Sequence, residues 1–288
     1  MAGPNEISVR IFRFDPAADA TPRYETHSVP RTPGMRVLDA LNHLYDTAGE
    51  PIAHRWYCGT KKCGECAVTV NGKPVLACWE AAEDGMTCEP LANVPIIRDV
   101  AVDTAGMEAR IVALNPELVR KNPPPFPERL DPKAMEPSNR LAKCIECHVC
   151  SAVVPAKGLG AEGLELPGRA GAAGLVRFAR FVVDPRDEGD RRATAERAGM
   201  GEIPAEPVLS SICPQGIDIL GEAMEPVRTK LLGAKGSAPA EPSSVAFVKS
   251  RAWSAFVRLT DAAKSALTAN GTLKKMDVPD LPEAYRAD

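Results

Sequence analysis

The run Cys58-Gly-Thr-Lys-Lys-Cys63-Gly-Glu-Cys66, continued through Ala-Val-Thr-Val-Asn71-Gly72-Lys-Pro-Val-Leu-Ala-Cys78, decides how the first half of this chain folds. Three thiols in a C-x4-C-x2-C loop with a fourth a dozen positions on form the donor set of a 2Fe–2S centre. The loop must bring three sulfurs to one small body, so its backbone has to turn inward. Gly59 and Gly64 permit that turn and let N–H groups face the sulfurs. Structural zinc sites instead use paired C-x2-C hooks set far apart. Asn71-Gly72 between two apolar runs is a strong two-residue hairpin signal, because both residues tolerate positive φ. The hairpin carries Cys78 back toward the loop.

Working outward, Ile7, Val9 and Ile11 alternate with polar neighbours as a half-buried strand does, and Tyr24 to Val29 reads as its return. Val37, Leu38, Leu41 and Leu44 follow helical spacing. Two strands, a helix, a cysteine loop and further strands follow one another in the order of a plant-type ferredoxin. Cys88, outside the set, reads as a small buried side chain. Lys61 and Lys62 read first as lysines on a wet loop, and second as charges steering an acidic partner.

Beyond residue 113 the pattern changes. Residues 114–127 are proline-rich, with Pro123, Pro124 and Pro125 in a row, which predicts a stiff linker. Ser138 to Cys147, Ala170 to Val183 and Ile217 to Leu232 read as helices, and Asp187, Glu188, Arg191 and Arg192 as a charged solvated stretch. Cys144-x2-Cys147-x2-Cys150 is the trio that wraps a 4Fe–4S cube, with Cys213-Pro214 as the remote fourth thiolate. In two-cluster bacterial ferredoxins such a run continues x3-Cys-Pro. Here Val154 stands before Pro155, leaving thiolates for one cubane only. His148, inside the trio, reads as a second layer around the cluster or as exposed.

Nine cysteines, eight of them in these two sets, read as metal ligands, because a reducing compartment disfavours disulfides. The net charge of -3 excludes a general nucleic-acid role, and aromatics at 5% argue against a base-stacking surface. No run of 18 apolar residues predicts a direct membrane span. Met1 to Phe14 shows no secretory or twin-arginine pattern, so a cytoplasmic protein is expected, or one held on the membrane's cytoplasmic face through partner subunits.

Residues from about Val9 to Leu231 resemble the iron–sulfur subunit of succinate dehydrogenase and fumarate reductase. Arg36-Val-Leu-Asp-Ala-Leu41, the Cys58–Cys66 loop, Asn71-Gly-Lys with Cys78, and Glu89-Pro-Leu-Ala-Asn-Val-Pro-Ile-Ile-Arg-Asp99 carry the likeness. Cys144-Ile-Glu-Cys147, Asp184-Pro-Arg-Asp-Glu188 and Cys213-Pro-Gln-Gly-Ile217 continue it in order. The resemblance implies an α+β plant-type ferredoxin (β-grasp) domain over 1–113, the linker at 114–127, and an all-α helical ferredoxin domain over 128–235. It implies 2Fe–2S ligation by Cys58, Cys63, Cys66 and Cys78, and 4Fe–4S ligation by Cys144, Cys147, Cys150 and Cys213. A partner subunit would carry FAD, and a membrane anchor or another redox protein would take or give electrons.

The family's third set of ligands falls here on Val154, Leu209 and Ile203, all aliphatic, so no 3Fe–4S cluster is expected. The quinone-side features are missing as well: no Trp follows Pro155 and no His lies near Ile203. Residues 236–288 extend past the family's end, with an amphipathic helix containing Trp253 and Phe256, expected to pack on its own protein or to dock a partner. No catalytic residue is expected in the chain. Electron transfer for a flavoenzyme of this type is the leading expectation. The alternatives are the same role in a flavin-dependent dehydrogenase with another substrate and a protein acceptor, or a free-standing ferredoxin-like carrier. A molybdenum hydroxylase subunit would need a second C-x2-C and C-x-C set that this sequence lacks.

Overall fold

The computed structural model describes residues 5–122, 124–153 and 171–233. Val154 and the extension with Trp253 and Phe256 lie outside the described residues.

The alternation at the N-terminus produces β1 (Glu6–Arg13), whose Ile7, Val9 and Ile11 are fully buried. β2 (Arg23–Pro30) returns antiparallel, with Ile7 opposite Val29 and Val9 opposite His27. α1 (Val37–Thr47) lays Val37, Leu38, Leu41 and Leu44 on the sheet, and Asp39 accepts from the Arg36 amide at its start. β3 (Ala67–Val70) and β4 (Lys73–Leu76) pair antiparallel around Asn71 (φ 46°) and Gly72 (φ 82°), two successive left-handed residues that make the tight hairpin turn. β5 (Met86–Glu89) slots between β1, parallel, and β3, antiparallel. The sheet order is β2-β1-β5-β3-β4, and a separate ribbon of β6 (Ile96–Arg98) and β7 (Ala101–Val102) follows, then α2 (Ala105–Val112). Cys88 sits in β5 with no exposure, opposite Ile11 and Val70.

Helices dominate after residue 127. The helix expected over 138–147 is α3 (Pro132–Leu141), six residues earlier at each end. Asp131 caps the Lys133 amide and Pro132 occupies the first turn, where its missing N–H costs nothing. The chain then leaves helical geometry at Ala142 to enter the cysteine loop. α4 (Val149–Val153) is one short turn, and α5 (Gly171–Val182) is buried on nearly every side, as the central helix of a second core. α6 (Arg192–Arg197) precedes 3-10 turns at Met200–Glu202 and Pro207–Ser210. Ile219–Met224, Glu225–Val227 and Arg228–Leu232 run on as one helical segment of π, α and π turns. Pro226 removes a donor from the α ladder there, and the wider turns accommodate the gap.

One stretch differs from the expectation of a solvated run of charges, and it reaches the linker. Asp187 and Arg191 are buried and paired at 2.6 Å, rather than displayed to water. Asp187 accepts from the Val119 amide at 3.0 Å and Arg191 donates to the carbonyls of Asn115 and Glu117, so this pair fastens the linker. The linker leaves several polar main-chain groups facing the second core, and a buried ion pair answers them. Beside it, Asp184 takes Ser138 Oγ at 2.9 Å and a two-pronged bond from Arg186, tying α3 to the end of α5.

Candidate iron–sulfur centres

The first loop folds as its glycines suggest. Gly59, Lys61 and Gly64 all have positive φ (65°, 61° and 82°), and the amides of Thr60, Lys62 and Cys63 each donate to Cys58 Sγ at 3.3 Å. Those amides lower the Cys58 thiol to about 6, so the loop stabilises negative charge on sulfur. Cys66 behaves oppositely: burial pushes it up to about 12, and the Cys78 amide reaches its sulfur at 3.5 Å. Cys63 interacts with Cys58, and both Cys78 and Cys63 interact with Cys66, so the four thiols lie within reach of one another. Two irons with two thiolates each need four such donors, so the set fits a 2Fe–2S rhomb.

The second set is drawn together from a trio and a residue far along the chain. Cys144, Cys147, Cys150 and Cys213 line one apolar cavity that opens to solvent on one side, walled by Ala173 and Val176 of α5 and by Ile217 and Ile219. Burial pushes Cys144 up to about 11 and Cys147 to about 12, and Cys150 is raised further by burial and by its three neighbouring thiols. Such thiols need a metal to hold them as thiolates. Four thiols lining one cavity, three from a close trio and one from far along the chain, suit a cube.

Cys147 is aimed by its flanks. Glu146 (φ 54°) and His148 (φ 59°) are both left-handed, positions where glycine would be the expected choice. Glu146 pairs with Arg177 of α5 at 2.8 Å, which fastens the loop. His148 is 3% exposed, so the expectation of an exposed side chain is corrected; burial pushes its pKa down to about 4.

The two loops touch. A Cβ added to Gly64 would lie 2.5 Å from the Ile145 carbonyl oxygen and 3.1 Å from Cys147 Cα, so only glycine fits between them. Gln215 Nε2 donates to the Lys61 carbonyl at 2.9 Å, and Asn93 Nδ2 to that of Ala152 at 2.8 Å. Val149 and Ala152 belong to the first core, against which Cys147 also packs. None of these three polar or glycine contacts has a periodic signature, and the sequence pattern does not point to Asn93, Gln215 or Arg177. Lys61, read as a wet lysine, is half-buried and stacks over Trp79 at 4.9 Å; Lys62 is exposed.

Two of the three positions expected to lack a third cluster's ligands lie among the described residues. Leu209 is fully buried and Ile203 8% exposed, both in the second core with Met200 and Phe178, and neither offers a donor.

Comparison with known proteins agrees with the geometry. Residues 8–109 match the family model described as 2Fe-2S iron-sulfur cluster binding domain. The fumarate reductase iron-sulfur subunit of Mycobacterium tuberculosis is 31% identical over 229 residues, 75% of this chain and 90% of that protein. A fumarate reductase (CoM/CoB) subunit of Methanothermobacter marburgensis is 32% identical over 222 residues, and there the match spans 77% of this chain but 44% of that protein. Among solved structures, the Mycobacterium smegmatis Sdh1 complex in the apo form contains a chain matched with a TM-score of 0.71 and 25% identity, over 80% of this chain and 97% of that one.

Proposed function

This chain belongs to the succinate dehydrogenase/fumarate reductase iron–sulfur subunit family, and on that premise we propose that it carries electrons between a flavin-bearing partner subunit and an acceptor or donor. Cys58, Cys63, Cys66 and Cys78 hold a 2Fe–2S cluster, and Cys144, Cys147, Cys150 and Cys213 a 4Fe–4S cluster. The divisions are 1–113 for the first domain, 114–127 for the linker, 128–235 for the second domain and 236–288 for the extension. The observation that carries the reading is the direct contact of the two cysteine loops at Gly64, Ile145 and Cys147. Two redox sites built on touching loops form a conductor.

When bound, the clusters supply one-electron acceptor and donor states. The chain's own residues do the rest. The amides at Cys58 favour added negative charge on the first site, and the apolar wall of α5 keeps water from the second. Gln215 and Asn93 fix the spacing of the loops. Substrate chemistry belongs to the partner.

The buried Leu209 and Ile203 favour a relay that ends at the 4Fe–4S site. The acceptor there is then a protein or another partner group, rather than a quinone reached through a third cluster. Anaerobic iron analysis tests this: about six irons per chain are expected. About nine irons would overturn the two-cluster reading; a 3Fe–4S signal in low-temperature EPR of oxidised protein counts against it only alongside that iron content, because a 4Fe–4S cube that loses one iron on oxidation gives the same signal. Isolation of the native complex with a flavin subunit supports the partnership. A chain that works fully as an isolated monomer refutes it.

A further inference from the structure

His148 lies inside the second cysteine loop and lines the same cavity as the four thiols. Its side chain is shut away from water, at 3% exposure, yet neither Nδ1 nor Nε2 has a hydrogen-bond partner. Leaving a buried polar nitrogen unmet is costly, so native proteins rarely tolerate it without a partner that completes the site. The backbone adds a second cost, because φ at His148 is 59°, in the region that favours glycine. An imidazole has been placed, at two separate penalties, where a residue without a side chain would fit the turn better. Glu108, Arg55 and Glu65 are the charged groups that act on the ring, but none of them hydrogen-bonds to it, and the cavity it lines is where a partner for its N–H can stand.

We infer that His148 donates an N–H hydrogen bond to a sulfur of the second cluster and thereby raises that cluster's reduction potential. In either tautomer one of its two nitrogens carries a hydrogen. A donor to a cluster sulfur stabilises the reduced, more negative state more than the oxidised one, and such bonds are among the levers that set cluster potentials. His148 is a positioning and tuning residue, with the four cysteines remaining the ligands. The role rests on the ligand assignment proposed above. In a relay that ends at the second cluster, a raised potential there draws electrons forward from the first loop.

The test uses the full chain, loaded with iron and sulfide, and begins with anaerobic iron counting. A wild-type protein without the 4Fe–4S cluster would sink the ligand assignment itself. With that cluster present, His148→Gly suits the left-handed backbone while removing the donor, and His148→Asn suits it while retaining an N–H. The Gly variant should keep about six irons and show the second cluster's reduction equilibrium about tenfold less favourable, ~59 mV for a one-electron couple. The Asn variant should recover part of that shift. Pulsed EPR of the reduced wild-type protein carrying 15N-histidine should show a nitrogen coupling to the second cluster that is absent from His148→Gly. Equal potentials in wild type and Gly variant, or no histidine coupling in wild type, would overturn the inference. The labelled wild-type measurement decides the matter even where the Gly variant fails to load.

Discussion

Single residues carry much of this molecule's logic, and Gly64 shows how. Gly64→Ala adds a methyl group 2.5 Å from a carbonyl oxygen at φ 82°. Gly59→Ala shares the positive φ, at 65°, but meets nothing within 4 Å. The Gly59 variant should therefore lose only the ~1–2 kcal/mol of left-handed strain, while Gly64→Ala loses more and loosens the loops. Anaerobic thermal unfolding of both, with EPR broadening between the reduced clusters as the readout of spacing, checks this. Leu209 makes a different case. Leu209→Ala opens a hole in a closed core and should cost about 2–5 kcal/mol, seen as a lowered unfolding midpoint with iron content unchanged.

Asp184 gives the pH dependence. The two-pronged Arg186 bond, with the Arg186 amide and Ser138 hydroxyl, lowers its carboxyl from 3.8 to about 2. The folded protein thus holds its proton less tightly than the unfolded chain does. The resulting stability, roughly 2 kcal/mol, is present above pH ~4 and lost as pH falls toward ~2. Urea unfolding at pH 6 and at pH 3 should show that loss in wild type and a smaller one in Asp184→Asn.

Elements divide by how their instructions are written. β1, α1 and the Asn71-Gly72 hairpin are legible because periodicity and turn chemistry are local: Ile7, Val9 and Ile11 face one way whatever packs on them. The first cysteine loop is legible for the same reason, its spacing and glycines lying close together in the chain. The start of α3 escapes the pattern although Asp131-Pro132 is a plain cap, because the apolar spacing after Ser138 runs on into the cysteine loop. Asp131→Ala should cost the helix about 1 kcal/mol, measurable by denaturant unfolding. The burial of Asp187 and Arg191 is not legible, since a dense run of charges looks solvated until the linker's carbonyls arrive. Nor do Glu146 and His148 announce left-handed turns, as neither is the glycine that such a turn invites. Tertiary contact decides these places.

For the whole molecule, stability and metal content should be linked. Walls gathered around four half-buried thiols are held together by what those thiols bind. Iron removal by a chelator should lower the unfolding midpoint and raise the exposure of the cysteine loops to hydrogen exchange more than that of β1 and β2, which carry none of the thiols.

Val149 and Ala152 have a consequence of another kind. They stand far along the chain but belong to the first core, where their helix packs against β4. A protease that nicks the proline-rich stretch near Phe126, whose side chain is fully exposed, would cut the covalent thread without freeing either piece. The nicked protein should run as two fragments in denaturing gels and as one particle in gel filtration, a clasp rather than a hinge.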